Sequence, residues 1–366
     1  MVVRGAGPRG GWRGGAPRPL GIDFRLYDPA PDASGGRVAP LVVGAFDDRR
    51  ALERFAADVD VVTFDWENVP ADSLRALRGR AAVRPPARAL AVSQDRLAEK
   101  RIFRRLGIPT APFAAVNSLA GLRRAVARVG LPGVLKTRRL GYDGKGQAWL
   151  HRRADIGAAW GALGGRSLIY EARVPFQREL SLLSVRGADG AIVHYPLAEN
   201  RHEQGILRLT SAPYRDRALQ AAAESHLEAL LARLRYVGVL GVEFFEAEGR
   251  LVANETAARV HNSGHWTIEG SVTSQFENHV RALSGLPLGG TAPRGHAAMV
   301  NFIGRLPAAA DVLAVPGAHL HDYEKSPRPG RKVGHATLVA TSARARDREA
   351  RRLLELGRRE AGELTQ

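Results

Sequence analysis

A glycine-rich segment, residues 136–147, contains the residue types that most clearly indicate chemistry in this chain. It follows residues 133–135, which predict a short apolar strand, and it contains Lys136 and Lys145. Three glycines allow its backbone N–H groups to turn toward an anion with no Cβ in the way: Gly141, Gly144 and Gly146. A strand that runs into such a loop is typical of a phosphate-binding site.

Lysine is rare in the rest of the chain. Of the 54 Lys and Arg residues, only five are lysine: Lys100, Lys136, Lys145, Lys325 and Lys332. Arginine is therefore the default cation, and a retained lysine indicates a position that a guanidinium does not suit. A compact ammonium on a flexible stem suits a transferring phosphoryl group, whereas the planar guanidinium imposes its own geometry. For any single lysine, the alternative is an accidental surface charge.

Two glutamates lie symmetrically about a predicted hairpin turn. Glu243 and Glu255 are equally distant in sequence from Gly249, at the centre of the turn. Directly opposed hairpin residues point to the same face with Cβ atoms about 5 Å apart, a spacing at which two carboxylates repel unless a cation lies between them. Oxygen ligands favour a hard ion such as Mg²⁺, and Asn254 adds an amide nearby. Two solvated surface glutamates are the alternative.

The polar stretch at residues 259–267 follows this hairpin closely. So many hydrogen-bonding side chains in a short segment seldom serve packing alone. His261 and His265 have the spacing of a metal pair, but no cysteine or third histidine is placed to complete a zinc site. Anion binding is the preferred interpretation, in which Arg259 stabilises charge that develops on a transferred group.

Composition limits the classes of protein to consider. With 366 residues, 45% of them hydrophobic, the chain is long enough for two or three packed domains. It has no cysteine, no apolar run that could span a bilayer and no secretion signal, so we expect a reducing, cytoplasmic setting without membrane contact. The net charge of +17 is typical of proteins that bind polyanions, but the arginines are scattered and do not cluster with aromatics. We therefore expect small phosphorylated ligands and no nucleic acid.

Periodicity and turn residues predict an α/β region, then a motif-bearing region from about residue 109, then a smaller β-rich region after residue 287. No packed element is expected in residues 1–19, which are rich in Gly, Arg and Pro. The predicted strands are residues 22–27, 60–64, 238–246, 250–256, 298–303, 319–323 and 334–340. The predicted helices are residues 47–57, 93–106 with Ser93 as N-cap, 119–129, 217–234 and 343–361.

Four motifs, in this order, together resemble the N5-carboxyaminoimidazole ribonucleotide synthetases, ATP-grasp enzymes of purine biosynthesis. The resemblance extends from about residue 21 to 340, and His-Asn-Ser-Gly-His-Trp beside Asn-Glu is its most specific part. The motifs are Lys-Thr-Arg-Arg with Gly-Tyr-Asp-Gly-Lys-Gly-Gln (136–147), Tyr-Pro-Leu-Ala-Glu-Asn-Arg-His (195–202), Asn-Glu with Arg-Val-His-Asn-Ser-Gly-His-Trp (254–266) and Arg-Pro-Gly-Arg-Lys-Val-Gly-His (328–335).

The resemblance implies an α+β ATP-grasp fold in three parts. These are an N-terminal α/β pre-ATP-grasp domain at residues 1–98, an ATP-grasp domain of two sheets at 99–286 and a small β-rich domain with a terminal helix at 287–366. It also implies a reaction of 5-aminoimidazole ribonucleotide with bicarbonate and ATP, through carboxyphosphate. The products are the N5-carboxylated ribonucleotide, ADP and phosphate. The implied cofactors are ATP and Mg²⁺, with Mn²⁺ as a substitute.

The resemblance also assigns roles to individual residues. Catalysis falls to Lys136, Arg259 and Asn262, and the metal ligands are Glu243 and Glu255. Nucleotide binding falls to Arg96, Lys136, Gly141, Tyr142, Asp143, Gly144, Lys145, Gly146, Gln147, Glu171, Ala172, Arg173, Val174, Glu179, His202, Asn254 and Glu255. The ribonucleotide substrate is assigned to Glu67, Tyr142, Asp143, Lys325, Arg331 and Lys332. Without the resemblance, each of three residues has a structural alternative. Glu179 would lie on the solvent-exposed face of a strand, Tyr142 would pack within its loop, and His202 would be an exposed histidine next to a carboxylate.

The start of the chain departs from the family pattern. Members open with a strand, a glycine-rich turn and a helix that help to hold the ribonucleotide phosphate, and residues 1–19 do not spell that pattern. This predicts either an error in the start or frame, or loss of the first strand. A lost strand would leave its neighbour in the sheet unpaired and would weaken ribonucleotide binding.

Two other functions remain open at this point. Another ATP-grasp ligase, such as a formate-dependent glycinamide ribonucleotide transformylase or a biotin carboxylase, would share the carboxylate pair and the phosphate loop. An inactive nucleotide-binding remnant belongs to a different class, although nothing in the central motifs looks decayed. By analogy with the family we expect a homodimer. We also expect a separate mutase to act on the product, because no mutase domain follows residue 366.

Overall fold

A computed structural model of the chain describes residues 2–4, 20–141 and 146–363. Over these residues the chain forms three β-sheets, of five, four and nine strands. Helices pack against each sheet. The largest hydrophobic cluster joins the five-stranded sheet and its helices to the nine-stranded sheet. No helix in these described ranges is both long enough and apolar enough to cross a membrane.

The first sheet is parallel and has the order β3-β2-β1-β4-β5. Helices α1 to α3 accompany it, with a 3₁₀ turn at Ser34–Arg37. The strands are β1 (Val2–Arg4), β2 (Arg25–Asp28), β3 (Leu41–Val43), β4 (Val61–Phe64) and β5 (Ala82–Val83). The helices are α1 (Arg49–Ala57), α2 (Ala71–Arg75) and α3 (Ala87–Ser93).

Strand β1 corrects the expectation that nothing before residue 20 packs. It pairs in parallel with β2 on one side and β4 on the other, so neither neighbour is left unpaired, as loss of the first strand would have implied. Three residues are too few to show a periodic pattern, and the strand is stabilised by backbone hydrogen bonds to segments distant in sequence. The rest of the segment in question, residues 1 and 5–19, lies outside the described residues.

Helix α4 (Arg96–Arg105) begins later than predicted. The expected single helix from Ser93 is divided, because α3 ends at Ser93 and the side chain of Asp95 caps α4 by accepting from the N–H groups of Leu97 and Ala98. Asp95 also accepts a hydrogen bond from Arg138, at the end of the phosphate-loop strand. The true cap therefore ties the start of α4 to that loop.

The second sheet is small and antiparallel, with the order β6-β9-β7-β8. Two helices cover it and enclose a separate core that includes Leu135, Leu168 and Tyr170. The strands are β6 (Phe113–Val116), β7 (Gly133–Thr137), β8 (Gln147–Leu150) and β9 (Leu168–Ala172), and the helices are α5 (Leu119–Val129) and α6 (Asp155–Leu163). Helix α5 has the predicted bounds, capped by Ser118 at the start and Gly130 at the end.

The third sheet has nine strands in the order β15-β14-β10-β12-β13-β16-β18-β17, with β11 added beside β10. Its strands are β10 (Arg178–Arg186), β11 (Ile192–His194), β12 (Ala198–Glu203), β13 (Ile206–Ala212), β14 (Gly238–Ala247), β15 (Arg250–Ala257), β16 (His296–Ile303), β17 (Ala318–Asp322) and β18 (Lys332–Ala340). Its helices are α7 (Arg217–Leu234), α8 (Thr267–Gly270), α9 (Gln275–Ser284), α10 (Ala309–Leu313) and α11 (Ala343–Glu363), with a 3₁₀ turn at Asn262–Gly264.

The C-terminal strands extend this third sheet. Strand β16 pairs with β13, so the β-rich C-terminal region shares a continuous sheet with the central region. It still has its own hydrophobic cluster under α11, where Leu353 and Leu354 are buried and Leu356 is partly buried. The domain boundaries drawn from the sequence stay predictions.

Candidate active site

The hairpin of β14 and β15 sets the two glutamates of the predicted metal site opposite each other. Glu243 pairs with Glu255 in the ladder, which confirms the predicted opposition. The connection is a two-residue turn with positive φ at Glu248 (53°) and Gly249 (71°). Such a turn matches the twist of the two strands and favours glycine at its second position.

A β-bulge is needed to bring the glutamates into register. Phe244 pairs with Ala253, whereas Glu243 pairs with Glu255, so Asn254 is the extra residue. Without the bulge, Glu243 would face Asn254 and Glu255 would point to the other side of the sheet. Symmetry about Gly249 assumes a three-residue turn, whereas the observed turn has two residues. The predicted pairing of the two glutamates was right only because the extra residue of the bulge compensates for the shorter turn.

The carboxylate pair has an excess of negative charge that a cation would neutralise. Burial and the charge of Glu255 raise the pKa of Glu243 to about 7. Burial also opposes ionisation of Glu255, but Arg96, whose Nη1 lies 3.0 Å from Glu255 Oε2, outweighs it and lowers the pKa. No cluster of three or more His, Asp or Glu side chains suited to a metal occurs among the described residues. The oxygen-only pair therefore fits Mg²⁺ whose other ligands are phosphate or water oxygens.

A cluster of cations lies beside this pair. Nζ of Lys136, from β7, and Nζ of Lys100, from α4, each lie 3.4 Å from the same Oε2 of Glu171 on β9. Burial opposes ionisation of Glu171, but Lys100, Lys136 and Arg96 outweigh it and lower its pKa to about 2. The structure thus brings together four predicted site residues, which are Arg96, Lys136, Glu171 and Glu255.

Two further residues of α4 belong to this cluster and were not assigned a role from the sequence. Lys100 donates to the carbonyl of Ala253, while Glu99 accepts from both N and Oγ1 of Thr256 at 2.6 Å. Their positions relative to Arg96 are i+3 and i+4, which places all three on one helix face. That spacing, together with the rarity of lysine in this chain, could have identified Glu99 and Lys100 as site residues from the sequence.

The predicted adenine hinge, residues 171–174, adjoins a surface cavity. The cavity has a volume of about 360 Å³ and is lined by Arg173, Val174, Pro175, Phe176 and Gln177. Glu171 itself is buried, while Ala172 and Val174 are half-buried and Arg173 is exposed. The hinge therefore presents an open edge beside the buried ion pairs.

Glu179 and His202 face each other on neighbouring strands of the third sheet. Oε2 of Glu179 lies 2.6 Å from Nδ1 of His202. Burial would lower the pKa of His202, but Glu179 and the charges of Glu243 and Glu255 outweigh it and raise that pKa. This pair therefore lies within electrostatic reach of the carboxylate pair.

The ends of the predicted phosphate loop are close together. Thr137 N–H donates to the carbonyl of Gly146 at 2.8 Å, and Arg96 donates to the carbonyl of Gly141 at 3.4 Å. Gly146 has a φ of 71°, and a Cβ there would lie 2.7 Å from Thr137 Oγ1. Gln147 begins β8. The predicted residues Tyr142, Asp143, Gly144 and Lys145 lie outside the described residues.

The polar stretch after β15 is mostly buried. Nη2 of Arg259 lies 3.0 Å from Oε2 of Glu67 in the first region. This ion pair joins a residue assigned to catalysis with one assigned to the ribonucleotide substrate. Asn262 is 6% exposed, and its Nδ2 has no hydrogen-bond partner among the described residues. Gln275 bonds to the backbone of His261 and to Nδ1 of His265, while Nε2 of His261 lies 3.6 Å from Oε1 of Glu243.

The basic loop at residues 325–332 folds on itself. Lys325 donates to the carbonyl of Lys332 at 3.1 Å, and Arg331 donates to Ser326. The positive charge of Lys332 acts on Glu243 and lowers its pKa, against the larger effect of burial. The loop therefore lies near the carboxylate pair.

Three sequence profiles of known domain families match successive parts of the chain. The ribonucleotide synthetase preATP-grasp domain matches residues 12–94, and the ATP-grasp domain matches residues 101–276. The phosphoribosylaminoimidazole carboxylase C-terminal domain matches residues 297–349. The chain therefore contains all three parts in the order implied by its motifs.

Whole-chain comparisons agree with the profiles. An N5-carboxyaminoimidazole ribonucleotide synthase of Pseudomonas aeruginosa is 51% identical over 92% of this chain and 93% of that protein. The crystal structure of the synthetase from Thermus thermophilus has a TM-score of 0.93 and 52% identity, covering 97% of this chain and 98% of that one. The Aspergillus clavatus enzyme, in complex with ADP and 5-aminoimidazole ribonucleotide, has a TM-score of 0.91 and 30% identity, covering 98% of each chain. The chain belongs to the N5-carboxyaminoimidazole ribonucleotide synthase family of ATP-grasp ligases.

Proposed function

We propose that this chain uses ATP to join bicarbonate to 5-aminoimidazole ribonucleotide through carboxyphosphate, releasing ADP and phosphate. The observation that carries the proposal is the opposed pair Glu243 and Glu255 beside the cation cluster of Arg96, Lys100 and Lys136. An anionic triphosphate with its divalent cation is the ligand that complements both charges at once. The named relatives support the choice of ribonucleotide over other acceptors.

In the first step an oxygen of bicarbonate attacks the γ-phosphorus of ATP. The bond to the bridging oxygen breaks, ADP leaves and carboxyphosphate forms. Charge then spreads over the transferring oxygens, and we assign Arg96 and Lys136 to them because both are held close together by buried carboxylates. Loop residues 141–147 would close over the phosphates, which excludes water from the reacting group.

Glu243 and Glu255 would hold Mg²⁺, for which Mn²⁺ could substitute. When bound, the ion neutralises phosphate charge and orients the β- and γ-phosphates. The bulged hairpin sets the two carboxylates opposite each other on one face of the sheet. The amide of Asn254, in the bulge, lies next to them in the chain.

In the second step the amine of the ribonucleotide attacks the carboxyl carbon, or the CO₂ released from it. The carbon–oxygen bond to phosphate breaks, phosphate leaves and the amine loses a proton. We assign Arg259 and Asn262 to the carboxyphosphate, because both are buried and Asn262 has an uncommitted donor. The ribonucleotide would be bound by Glu67, Tyr142, Asp143, Lys325, Arg331 and Lys332. Of these, the cations of the basic loop at residues 325–332 would bind its phosphate.

The nucleoside part would lie along the hinge. Residues 171–174 would present backbone groups to adenine, next to the open cavity at Arg173 and Val174. Glu179 would accept the ribose hydroxyls and His202, which is held 2.6 Å from it, would orient that carboxylate. Gly141, Gly146 and Gln147 would border the phosphates.

ADP release tests this assignment directly. The purified chain is assayed with ATP, Mg²⁺ and either 5-aminoimidazole ribonucleotide with bicarbonate or glycinamide ribonucleotide with formate. We expect ADP only from the first pair, together with acid-labile incorporation of labelled bicarbonate. ADP formation that requires formate would identify the alternative transformylase. No acceptor-dependent ADP release from either pair would favour an inactive remnant.

We propose further that the protein is a cytoplasmic homodimer whose product passes to a separate mutase. Its phosphorylated substrates do not cross membranes unaided, which favours the compartment where they are made. Light scattering of the purified chain tests the dimer, and a mass of one chain would contradict it. Product analysis with and without an added mutase tests the last point, because the chain alone should leave the carboxyl group on nitrogen.

A further inference from the structure

Two ammonium groups converge on one carboxylate oxygen in the middle of the ATP-grasp region. Nζ of Lys100 and Nζ of Lys136 each lie 3.4 Å from Glu171 Oε2, and the side chains of Lys100 and Glu171 are 3% and 4% exposed. One negative charge cannot fully compensate two positive ones at this distance. The arrangement therefore has a surplus of positive charge before any nucleotide is present.

The two lysines are held differently. Lys100 makes a second contact, a 3.2 Å hydrogen bond to the carbonyl of Ala253 on β15, in the strand that also contains Glu255. It therefore bridges β9 of the small sheet and β15 of the large one. Among the described residues, the hydrogen bond and the ion pair of Lys136 both go to Glu171, and its side chain is 16% exposed. Lys136 is therefore the lysine that can move away from Glu171.

The charge count of the surroundings points to an anion as the missing partner. Arg96 pairs with Glu255, so Glu171 is left with the two lysines, which gives two cations against one anion at that carboxylate. A bound phosphate would supply the missing negative charge.

We propose that Lys100 is a fixed counter-ion of Glu171, whose role is to release Lys136 to the phosphates of the nucleotide. This inference rests on the proposed function, because it takes Lys136 to be a phosphate ligand. If Glu171 had Lys136 alone, movement of Lys136 onto a phosphate would leave a buried carboxylate unpaired, at high cost. With Lys100 in place, Glu171 keeps one cation in either position of Lys136. Lys100 is thus a positioning residue that never touches the nucleotide.

The experiment compares binding of ADP with binding of adenosine by calorimetry, in the presence of Mg²⁺. In Lys100→Met, Lys136 is retained by Glu171, so ADP affinity should fall about tenfold while adenosine affinity stays within about twofold. In the double variant with Lys100→Met and Glu171→Gln, nothing retains Lys136, so ADP affinity should return to within about threefold of that of Glu171→Gln alone. Arg101→Met, an exposed neighbour on α4, is the matched control and should change neither affinity.

Two results would overturn the inference. The first is an equal loss of ADP and adenosine affinity in Lys100→Met, which indicates general damage to the site. The second is a double variant that binds ADP more than about threefold more weakly than Glu171→Gln. That comparison does not require Lys100→Met to fold as a single variant, because it uses only the double variant and Glu171→Gln.

Lys136→Met separates this inference from the proposed function. If Lys136→Met binds ADP as the unmodified chain does, Lys136 is not a phosphate ligand and its assignment in the proposed function fails. If Lys136→Met weakens ADP binding but Lys100→Met does not, only the counter-ion role of Lys100 fails.

Discussion

Replacement of Glu99 tests how helix α4 supports strand β15, which contains the proposed metal ligand Glu255. Oε1 of Glu99 accepts hydrogen bonds of 2.6 Å from both N and Oγ1 of Thr256, the residue after Glu255. Glu99→Ala removes both acceptors. Each donor left unpaired costs about 1–3 kcal/mol, so for two donors the expected loss in the free energy of unfolding is about 2–6 kcal/mol. Glu99→Gln keeps a carbonyl oxygen in the same place and should cost much less.

The same residue predicts a pH dependence. Burial raises the pKa of Glu99 from its usual 4.5 to about 8, against the hydrogen bonds from Thr256, which lower it. The folded chain therefore binds one more proton than the unfolded chain between these values. The stability that this group contributes is full below about pH 4.5 and falls as the pH rises through 8, by at most about 1.4 kcal/mol per pH unit. Glu99→Gln cannot titrate, so it should remove this slope.

Urea unfolding at pH 6 and pH 9 measures the loss of stability in each variant and its dependence on pH. Hydrogen exchange at the Thr256 amide reports the loss of the hydrogen bond to Glu99 itself. We expect Glu99→Ala to lower the unfolding midpoint and to speed exchange of that amide, while Glu99→Gln does neither at pH 6. If Glu99→Gln is as unstable as Glu99→Ala at pH 6, the carboxylate is needed in its charged form. If Glu99→Ala loses less than about 0.5 kcal/mol, the two hydrogen bonds do not stabilise the strand.

Three further substitutions test other parts of the molecule. Glu255→Gln should abolish turnover while the thermal midpoint is retained, because the proposed Mg²⁺ would lose a charged ligand, and undiminished activity would remove the paired-carboxylate argument. Lys325→Ala should raise the KM for the ribonucleotide more than the KM for ATP, whereas equal increases would show that the basic loop is not a substrate clamp. Gly133→Ala should raise the KM for ATP and cost about 1–3 kcal/mol of stability, because its Cβ would lie 2.3 Å from Tyr170 Oη. Gly157→Ala is the control, since nothing lies within 4 Å of its Cβ, and a similar loss there would refute the steric explanation.

Elements with strong local signals were predicted closely. Helices α5 and α7 have the predicted bounds because each has an apolar stripe and a capping side chain, Ser118 and Asp216, within its own segment. The start of α4 was missed because two capping residues, Ser93 and Asp95, stand two positions apart. In the structure Asp95 caps α4 and contacts Arg138, 43 positions away, whereas Ser93 donates back to the carbonyl of Leu90.

The candidate site divides in the same way. The residue types of the phosphate loop and of the glutamate hairpin could be recognised because each lies within a short segment. The register of Glu243 with Glu255 depends on a bulge that no turn rule indicates, since the rest of the fold stabilises the extra residue. The pairing of Lys100 with Glu171 joins a helix to a strand 71 positions later, and neither segment contains a pattern that specifies the other.

The sequence by itself determined the family, the order of the three regions and the chemical character of the site, because motifs and their spacing are local properties of the chain. Tertiary structure alone decided that β1 lies between β2 and β4, that the C-terminal strands continue the central sheet, and which cation each buried carboxylate has. Such contacts depend on the packing of segments that are distant in sequence. Their energies come from burial, which a linear pattern does not report.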